Sequence, residues 1–428
     1  MKIAVIGGGY AGMAAAVTLA ERGVAATIFE AAPQLGGRAR GVDFNGTVLD
    51  NGQHILVGAY CETLRLIKLV NRDAGSALLR LPLDWHVQGH FRLRAAPLPA
   101  PLHLALGLMM ASGAGWGERM AAVTFMRVMR RNGFRLPQDI TVSELLRRHR
   151  QGAVITRHLW HPLCIAALNT PPDIASAQVF LNVLRTSLDS TRADGEIMLS
   201  RVDLSALFPD PAADYVRARG GEVMPGTTVE QVRDHAGAFE LTVSGSNYRF
   251  THVICAVPPH RLLPLIAGLP ALAPAAEQIS GFQYQPIYTI YLQYAGRVAL
   301  PSPMLGMAGG LAQWVFDREA ICGQCGLIAA VISAAGPHQD MTQDDLAQRI
   351  HAELCRNFGA LPAPVWQRVI AEKRATYACT VSLPRPAQRT PLRNFYLAGD
   401  YTESDYPATL EAAVRSGVGC ARQLLESR

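Results

Sequence analysis

The chain has 428 residues, of which 49% are hydrophobic and only 17% are charged, and its formal net charge is +6. This length and apolar content exclude a disordered chain and allow a large buried core, for which we expect two domains. The positive charge indicates an acidic partner, and because no nucleic-acid motif accompanies it, we expect an anionic membrane surface and no nucleic acid.

The first thirty residues contain one βαβ pattern around a glycine-rich turn. A short apolar run opens into residues 7–12, Gly-Gly-Gly-Tyr-Ala-Gly, which lead into a helix pattern of small residues and a second strand. Gly7 permits the turn, Gly9 leaves room for a pyrophosphate beside the backbone, and Gly12 lets the helix lie close to the strand. The helix N-terminus would offer unpaired N–H groups to the phosphates.

Glu30 ends the second strand of this unit and stands 18 residues after Gly12. Near this spacing an acidic side chain accepts hydrogen bonds from the ribose of adenosine and disfavours a 2′-phosphate. The pattern therefore predicts a site for FAD or NAD rather than NADP.

Two further motifs favour FAD. Gly36-Gly37-Arg38 follows Glu30 closely, and Gly399-Asp400 stands near the far end of the chain. In this order the motifs resemble the amine oxidase and carotenoid desaturase class of flavoproteins. The resemblance implies that residues 36–38 contact the phosphates and that Asp400 lies near the ribityl and phosphate groups.

Residues 49–54, Leu-Asp-Asn-Gly-Gln-His, form a short segment whose glycine is not expected inside a helix. The same resemblance places Asp50, Gly52 and His54 beside the isoalloxazine ring. From the residues alone, a hairpin turn whose polar side chains satisfy one another is an equal alternative.

An apolar segment, residues 95–117, has no charged side chain, and residues 119–157 hold nine arginines against Asp139 and Glu144. Prolines and glycines limit the continuous apolar part to about half of a membrane span, so we do not expect a spanning helix. The combination is typical of a monotopic enzyme resting on anionic lipid. The alternative is an internal cavity wall beside a solvated helix face.

Further along, residues 160–172 form an apolar stretch bounded by prolines that suits a hydrocarbon substrate or ordinary core packing. Residues 220–230 are predicted to form one strand of a small antiparallel layer. The resemblance to glutathione-reductase-like folds implies a backbone contact from Val229 to adenine.

The aromatic residues Phe282, Tyr284, Tyr288 and Tyr294 are predicted to share one face of a strand. Such a face can line a cavity and stabilise a cation, or it can simply pack a sheet.

The closing segment contains a predicted helix start at Pro407 and Thr409. A helix N-terminus directed at the flavin would stabilise the negative charge of its reduced form.

Only Cys322 and Cys325 form a close cysteine pair in the sequence. Because they have no partners at zinc spacing, we expect a loop with two free thiols and no metal, the alternative being a metal or redox site. Because the first strand begins at residue 2, we expect no signal peptide and a cytoplasmic protein, at the inner face of the cell membrane.

Taken together, these motifs, with Trp160-His-Pro-Leu through Leu-Asn-Thr-Pro171 and Tyr406 through Gly417, resemble the bacterial hydroxysqualene dehydroxylases over the whole chain. These enzymes are also described as squalene-associated FAD-dependent desaturases of hopanoid synthesis. The resemblance implies reduction of hydroxysqualene to squalene by hydride from reduced FAD, with upstream prenyl synthases as possible partners. A carotenoid-type desaturase and a noncatalytic lipid-binding protein are the alternatives.

The reaction needs a proton donor for the leaving hydroxyl. His54 is the candidate because of its implied place near the flavin, and Tyr284 or an ordered water could serve instead. No spacing argument selects among them.

We therefore predict an α/β protein with a glutathione-reductase-like FAD-binding Rossmann domain and an interleaved α+β substrate domain. Residues 1–80, 200–260 and 388–428 are assigned to the first domain, and residues 81–199 and 261–387 to the second, which would face the membrane. The predicted FAD contacts are Gly7, Gly9, Tyr10, Ala11, Gly12, Glu30, Gly36, Gly37, Arg38, Gly52, Gln53, His54, Val229, Gly399, Asp400, Thr409 and Leu410.

Overall fold

The computed structural model describes residues 1–235 and 237–427 of the chain. The strands are β1 (Ile3–Ile6), β2 (Thr27–Phe29), β3 (Gly41–Phe44), β4 (Thr47–Asp50), β5 (Ile55–Val57), β6 (Leu78–Leu81), β7 (Asp84–Val87), β8 (Phe91–Arg94), β9 (Ile197–Ser200), β10 (Glu222–Met224), β11 (Val229–His235), β12 (Ala238–Val243), β13 (Ser246–Phe250), β14 (His252–Cys255), β15 (Tyr284–Gln293), β16 (Met304–Gly306), β17 (Trp314–Asp317), β18 (Leu327–Ser333), β19 (Trp366–Tyr377) and β20 (Phe395–Leu397). The α-helices are α1 (Tyr10–Glu21), α2 (Cys61–Val70), α3 (Leu102–Met109), α4 (Trp116–Arg131), α5 (Val142–Arg148), α6 (Ala153–Ile155), α7 (His161–Leu168), α8 (Ala177–Leu188), α9 (Leu204–Leu207), α10 (Pro209–Arg217), α11 (Pro259–Ile266), α12 (Ala273–Ser280), α13 (Arg318–Cys322), α14 (Gln343–Phe358) and α15 (Leu410–Glu426).

A five-stranded parallel sheet, in the order β10-β2-β1-β14-β20, lies at the centre of the nucleotide-binding half. Its short strands are almost continuously apolar because both faces are covered. Side chains such as Val5 pack with α1 and α15 on one face, and Ile6 and Phe29 pack with the three-stranded sheet β11-β12-β13 on the other. A Cβ at Gly417 would lie 2.0 Å from the carbonyl oxygen of Ala11, so α15 and α1 pack in close contact.

The single strand predicted over residues 220–230 is wrong, because the chain forms two strands in different sheets. β10 pairs in parallel with β2 at the edge of the central sheet, and β11 pairs with β12 in the antiparallel sheet. Pro225, which has no N–H to donate, and Gly226, with φ +69°, turn the chain between them.

The second half is built on a seven-stranded mixed sheet, in the order β19-β15-β18-β17-β16-β7-β8. All of its strands come from the segments predicted for the substrate domain, and all five parallel strands come from the segments predicted for FAD. The predicted boundaries after residues 80 and 199 fall inside β6 and β9, which pair with each other. The chain therefore crosses between the two halves inside a small sheet at these points.

The predicted aromatic face of β15 is wrong. Phe282 and Tyr284 pack in one hydrophobic cluster, and Tyr288 and Tyr294 pack in another on the opposite side of the strand. The alternation changes at Pro286, where the pairing of β15 with β19 is irregular. An irregular pairing of this kind reverses the side to which later side chains point.

The close cysteine pair differs in part from the expected loop. Cys322 is the last residue of α13, and its thiol donates to the carbonyl oxygen of Arg318 at 3.1 Å, whereas Cys325 is exposed. Both cysteines are free thiols. Among residues 1–235 and 237–427, no group of His, Cys, Asp or Glu side chains is arranged to bind a metal ion.

No helix within the described part of the chain combines the length and the apolar character needed to cross a membrane.

Candidate functional site

The glycine-rich turn joins β1 to α1, and its three motif glycines have different structural requirements. Gly7 has φ +109° and donates its N–H to the carbonyl oxygen of Phe29 at 2.7 Å. A Cβ at Gly12 would lie 1.9 Å from the carbonyl oxygen of Gly7, so the fold itself requires glycine there. Gly9 has ordinary extended angles, and a Cβ there would meet no atom closer than 3.9 Å. The protein therefore leaves open space at Gly9.

This open space lies at the N-terminus of α1, which has no side-chain cap among the described residues. The first N–H groups of an uncapped helix are available to an anion. Tyr10 and Ala11, the other predicted contacts in this turn, have buried side chains, and the Tyr10 hydroxyl donates to the carbonyl oxygen of Leu204 at 2.9 Å. The turn fits the pyrophosphate of a dinucleotide, with contacts from backbone atoms.

Glu30 follows β2 and lies beside this turn. Its carboxylate accepts the N–H of Gly8 at 2.6 Å and the N–H of Ala32 at 2.8 Å. The carbonyl oxygen of Glu30 accepts the N–H of Thr227 at 2.8 Å, two residues before Val229 begins β11. The structure thus brings Glu30 and the segment at Val229 to the same end of the parallel sheet, where a ribose and an adenine would be neighbours.

The loop of residues 36–38 packs directly on the glycine-rich turn. The N–H of Gly36 donates to the carbonyl oxygen of Gly8 at 3.0 Å, and Gly36 and Gly37 both have positive φ. The Arg38 guanidinium donates to Asp400 Oδ1 at 2.7 Å and to the carbonyl oxygen of Ala375 at 2.6 Å. Arg38 therefore joins the predicted phosphate loop, the Gly-Asp motif and β19 of the second half at one point.

Gly399 and Asp400 follow β20, and their position is set by α15. The N–H of Gly399 donates to the hydroxyl oxygen of Ser416 at 2.7 Å. As predicted, Thr409 caps the helix, since its hydroxyl oxygen accepts the N–H of Ala412 at 3.2 Å, and Leu410 is the first helical residue. Pro407, the other predicted start residue, lies before the cap and outside the helix.

The first turn of α15 also binds a second helix. The fully buried Glu411 carboxylate accepts the N–H of Glu62 at 3.1 Å and that of Thr63 at 2.9 Å. The N-terminus of α2 is therefore satisfied by Glu411, and the two helices are joined.

The turn of residues 50–54 is bound by the second half of the protein. The buried Asp50 carboxylate accepts the N–H of Leu204 at 2.9 Å and lies 3.5 Å from Arg318, which donates to Gln53 Oε1 at 2.9 Å. The side chains of Asp50 and Gln53 thus have protein partners, but these come from distant segments, whereas the hairpin alternative expects the polar residues of the turn to satisfy one another. Gly52 and His54, which are only partly buried, remain available to a flavin.

Burial raises the pKa of Asp50 to about 6, and the neighbouring Arg318 opposes this rise. Because this pKa lies above that of the unfolded chain, the folded protein binds the Asp50 proton more tightly. Asp50 therefore contributes most to the free energy of unfolding below pH about 4. About 3 kcal/mol of this contribution is lost as pH rises through about 6. Ionised Asp50 is therefore kept in place at neutral pH by the rest of the fold.

His54 Nδ1 lies 2.6 Å from the carbonyl oxygen of Gly52. A carbonyl oxygen only accepts, so Nδ1 carries a proton, and Nε2 has no hydrogen-bond partner among the described residues. Burial, assisted by Arg38, lowers the pKa of His54, although the bond to Gly52 opposes this. At neutral pH His54 is therefore a neutral imidazole whose free Nε2 is an acceptor.

Tyr284 also lies within the electrostatic reach of Arg38. Its ring meets the His260 ring edge-on with centroids 6.1 Å apart, and the Arg374 guanidinium lies 5.8 Å from its centroid. Burial raises the pKa of Tyr284 although Arg374 and Arg38 lower it, so the phenol keeps its proton at neutral pH. Of the two side chains considered as proton donors, only Tyr284 holds a transferable proton at neutral pH.

Sequence reasoning missed the residues of the second half that hold these groups, Thr289, Tyr291, Arg318 and the Ala375 carbonyl. Ala375 reaches Arg38 because β19 has extra residues opposite Pro286. No motif marks them, because each acts on a residue more than 200 positions away.

Known proteins resemble the chain over almost its whole length. A family model for the flavin-containing amine oxidoreductases matches residues 10–425. The hydroxysqualene dehydroxylase of Rhodopseudomonas palustris is 29% identical over 431 residues, which cover 96% of each protein. The 15-cis-phytoene desaturase of Synechococcus elongatus is 23% identical and covers 99% of this chain and 96% of its own length.

A solved structure has the same fold. The structure of a putative protoporphyrinogen oxidase from Exiguobacterium sp. superposes with a TM-score of 0.73 at 16% identity, covering 100% of this chain and 99% of that one. This likeness confirms the predicted α/β fold with a Rossmann domain and a second domain, and the family match confirms FAD as the cofactor. The chain belongs to the flavin-containing amine oxidoreductase family and is an FAD-dependent oxidoreductase.

Proposed function

We propose that the chain catalyses the FAD-dependent reductive dehydroxylation of hydroxysqualene to squalene, in the biosynthesis of squalene and hopanoids. The observation that carries this proposal is the end-to-end similarity to a hydroxysqualene dehydroxylase, at 29% identity against 23% for a phytoene desaturase. In the reaction one hydride and one proton convert the allylic carbinol into the hydrocarbon and water. Bound reduced FAD supplies the hydride.

The remaining tasks belong to the protein, which must hold the substrate, keep water from the allylic cation and supply a proton. An uncharged helix supports the first two tasks through Leu163, Ile165, Ala166 and Ala167, the apolar residues of α7 that are not fully buried. His161 is the only acidic or basic side chain in residues 160–172 of the sequence. The other face of the helix is packed in the core, since Trp160, Cys164 and Leu168 belong to the same hydrophobic cluster as Tyr377.

Two polar residues fix this apolar stretch to the second sheet. Asn169 donates to the Thr376 hydroxyl at 3.0 Å and accepts the N–H of Ala334 at 2.7 Å. Thr170 accepts the N–H of Cys379 at 2.9 Å. The end of α7 is thereby fixed against β19, close to the strand that carries Tyr284.

The proton donor can be tested by pH dependence. We expect Tyr284→Phe to lower the single-turnover rate of squalene formation about 100-fold, the lower end of what a positioned acid contributes. Because the pKa of Tyr284 is raised, the wild-type rate should stay level from pH 6.5 to 9. The phenol would lose its proton only at higher pH.

His54→Ala is the matched comparison, and we expect it to change the rate much less at neutral pH. If His54 were the acid, the rate would fall as pH rises through its lowered pKa, below 6.5. A fall in rate as pH rises below 6.5 that disappears in His54→Ala would reassign the proton to His54.

The function itself is tested by reducing the bound flavin without oxygen, adding hydroxysqualene in detergent, and following flavin absorbance together with extracted product. Flavin reoxidation matched by squalene formation is the expected result. Reduced flavin that persists, with oxidised flavin desaturating phytoene instead, would favour the carotenoid-type desaturase. Flavin that reacts with neither compound would contradict both substrates and would mean that the oxidoreductase acts on a different compound.

We also propose that residues 95–117 rest on an anionic membrane at its cytoplasmic face. Four large apolar side chains there are exposed: Leu98 (37%), Leu102 (56%), Met110 (73%) and Trp116 (58%). Exposed arginines without an ion pair among the described residues follow in the chain, namely Arg127, Arg131, Arg135, Arg150 and Arg157. Exposed apolar side chains with nearby cations suit a surface of acidic lipid.

Replacing Leu102, Met110 and Trp116 by glutamate together should abolish sedimentation with vesicles that contain phosphatidylserine. Each side chain contributes about 2 kcal/mol when it leaves water, so binding should weaken more than about 100-fold. Val365→Glu is the control, since Val365 is an equally exposed apolar residue outside the segment. Equal sedimentation of the triple variant and the control would contradict this orientation.

A further inference from the structure

Three buried side chains of the second half hold the 50–54 turn. The Tyr291 hydroxyl donates to the carbonyl oxygen of Asp50 at 3.0 Å, and the Thr289 hydroxyl accepts the N–H of Gln53 at 3.4 Å. Arg318 donates to Gln53 Oε1 at 2.9 Å, and its exposed fraction is only 3%. Both ends of this turn are therefore positioned by side chains from β15 and α13.

The distances from Arg318 indicate that its main role is to hold the turn and not to neutralise the charge of Asp50. The Arg318 guanidinium lies closer to the Gln53 amide, at 2.9 Å, than to the Asp50 carboxylate, at 3.5 Å. A buried arginine that served only as a counter-ion would be expected to pair directly with the carboxylate.

The orientation of Arg318 is itself fixed from two sides. Arg318 Nε donates to Gln324 Oε1 at 2.9 Å, and Gln324 donates in turn to the carbonyl oxygen of Val48 at 2.8 Å. Arg318 is also the first residue of α13, whose N-cap Asp317 accepts the N–H of Ala320 at 3.0 Å. A planar guanidinium held at two nitrogens has little freedom, so it can transmit its position to Gln53.

We propose that Arg318 is a positioning residue that sets the place of Gly52 and His54 against the flavin by holding Gln53. The proposal rests on the assignment of residues 52–54 to the flavin side of the site. Because Arg318 comes from the substrate half, the same contact transmits any shift of that half to the flavin. Gln53 thereby acts toward Arg318, in addition to its predicted role as a direct FAD contact.

The test compares Arg318→Gln with Arg318→Lys in the FAD-loaded protein. Arg318→Gln should keep bound FAD but change the visible circular dichroism of the flavin. It should also lower kcat about 100-fold while KM changes little, because a turn displaced by about 1 Å misplaces the reacting groups. Arg318→Lys keeps the buried charge beside Asp50 but cannot donate to Gln53 and Gln324 together, so we expect an intermediate change.

Glu353→Gln is the matched control. Glu353 is an equally buried charged residue of the second half, and it accepts the N–H groups of Leu311 and Ala312 at 2.8 and 3.1 Å, away from the 50–54 turn. A purely structural role would lower stability in the control and in the Arg318 variants alike without altering the flavin spectrum.

An unchanged flavin dichroism and kcat in a folded Arg318→Lys protein would overturn the proposal, even if Arg318→Gln fails to fold. The dichroism needs no substrate. A protein that does not act on hydroxysqualene would therefore fail the proposed function while still deciding the role of Arg318.

Discussion

A Gly9→Ala protein will fold normally and contain little FAD. The backbone angles of Gly9 suit alanine, and the new Cβ meets no protein atom within 3.9 Å. We expect the free energy of unfolding of the apoprotein to change by less than about 1 kcal/mol. The methyl group occupies the space beside the N-terminus of α1, and losing two charged hydrogen bonds of about 1.5 kcal/mol each would weaken FAD binding about 100-fold.

Substitutions at two other glycines serve as comparisons for Gly9→Ala. Gly12→Ala places a Cβ 1.9 Å from the Gly7 carbonyl oxygen, so it should destabilise the apoprotein itself by about 3 kcal/mol. Gly115 caps α4 in similar extended angles with no atom within 4 Å of a new Cβ, so Gly115→Ala should change neither property. Urea unfolding of the apoproteins and the ratio of flavin to protein absorbance measure both. A Gly9→Ala protein with the wild-type FAD content would contradict the assignment of the phosphates to this turn.

Arg38→Ala will lower both stability and FAD content. Arg38 is the hydrogen-bond partner of the Asp400 carboxylate among the described residues, and the exposed fraction of that carboxylate is only 6%. Removing one member of such a pair leaves an uncompensated charge, and we expect a loss of about 2 kcal/mol because the arginine is partly exposed. An unpaired carboxylate next to the phosphate loop would also repel FAD, so binding should weaken at least about tenfold.

Arg92→Ala is the control for this loss. Arg92 is as exposed as Arg38 and pairs with Asp84, but that carboxylate keeps Arg94 as a second partner. We expect a small loss of stability and unchanged FAD content. Adding Asp400→Asn to Arg38→Ala should recover part of the stability, because it removes the unpaired charge. Equal FAD content in Arg38→Ala and Arg92→Ala would remove Arg38 from the cofactor site.

The nucleotide-binding half could be predicted from the sequence because its features are local. Residue 12 must be glycine because a Cβ there would collide with the carbonyl oxygen of Gly7, five residues earlier. Thr409 caps the helix that begins at the next residue. Such constraints act through backbone angles and short contacts, which residue type and spacing report directly.

Other expectations were wrong where one or two residues changed a long pattern. Pro225 and Gly226 divided a predicted strand between two sheets, although turn residues of this kind can be recognised in a sequence. The alternation of aromatic residues failed at Pro286, where the pairing with β19 is irregular, and alternation alone cannot locate such an irregularity.

The βαβ unit with its glycine-rich turn and Glu30 could be predicted from sequence alone, because it depends on groups that are close in the chain. The choice of FAD needed in addition Gly399 and Asp400, near the far end of the chain, and the resemblance to a class of flavoproteins. The packing of the two halves was needed to show that Asp50 and Gln53 face Arg318, that Ala375 binds Arg38, and that His54 is a neutral imidazole at neutral pH. These features depend on contacts between residues more than 200 positions apart and on burial, which arise only when the two halves pack together.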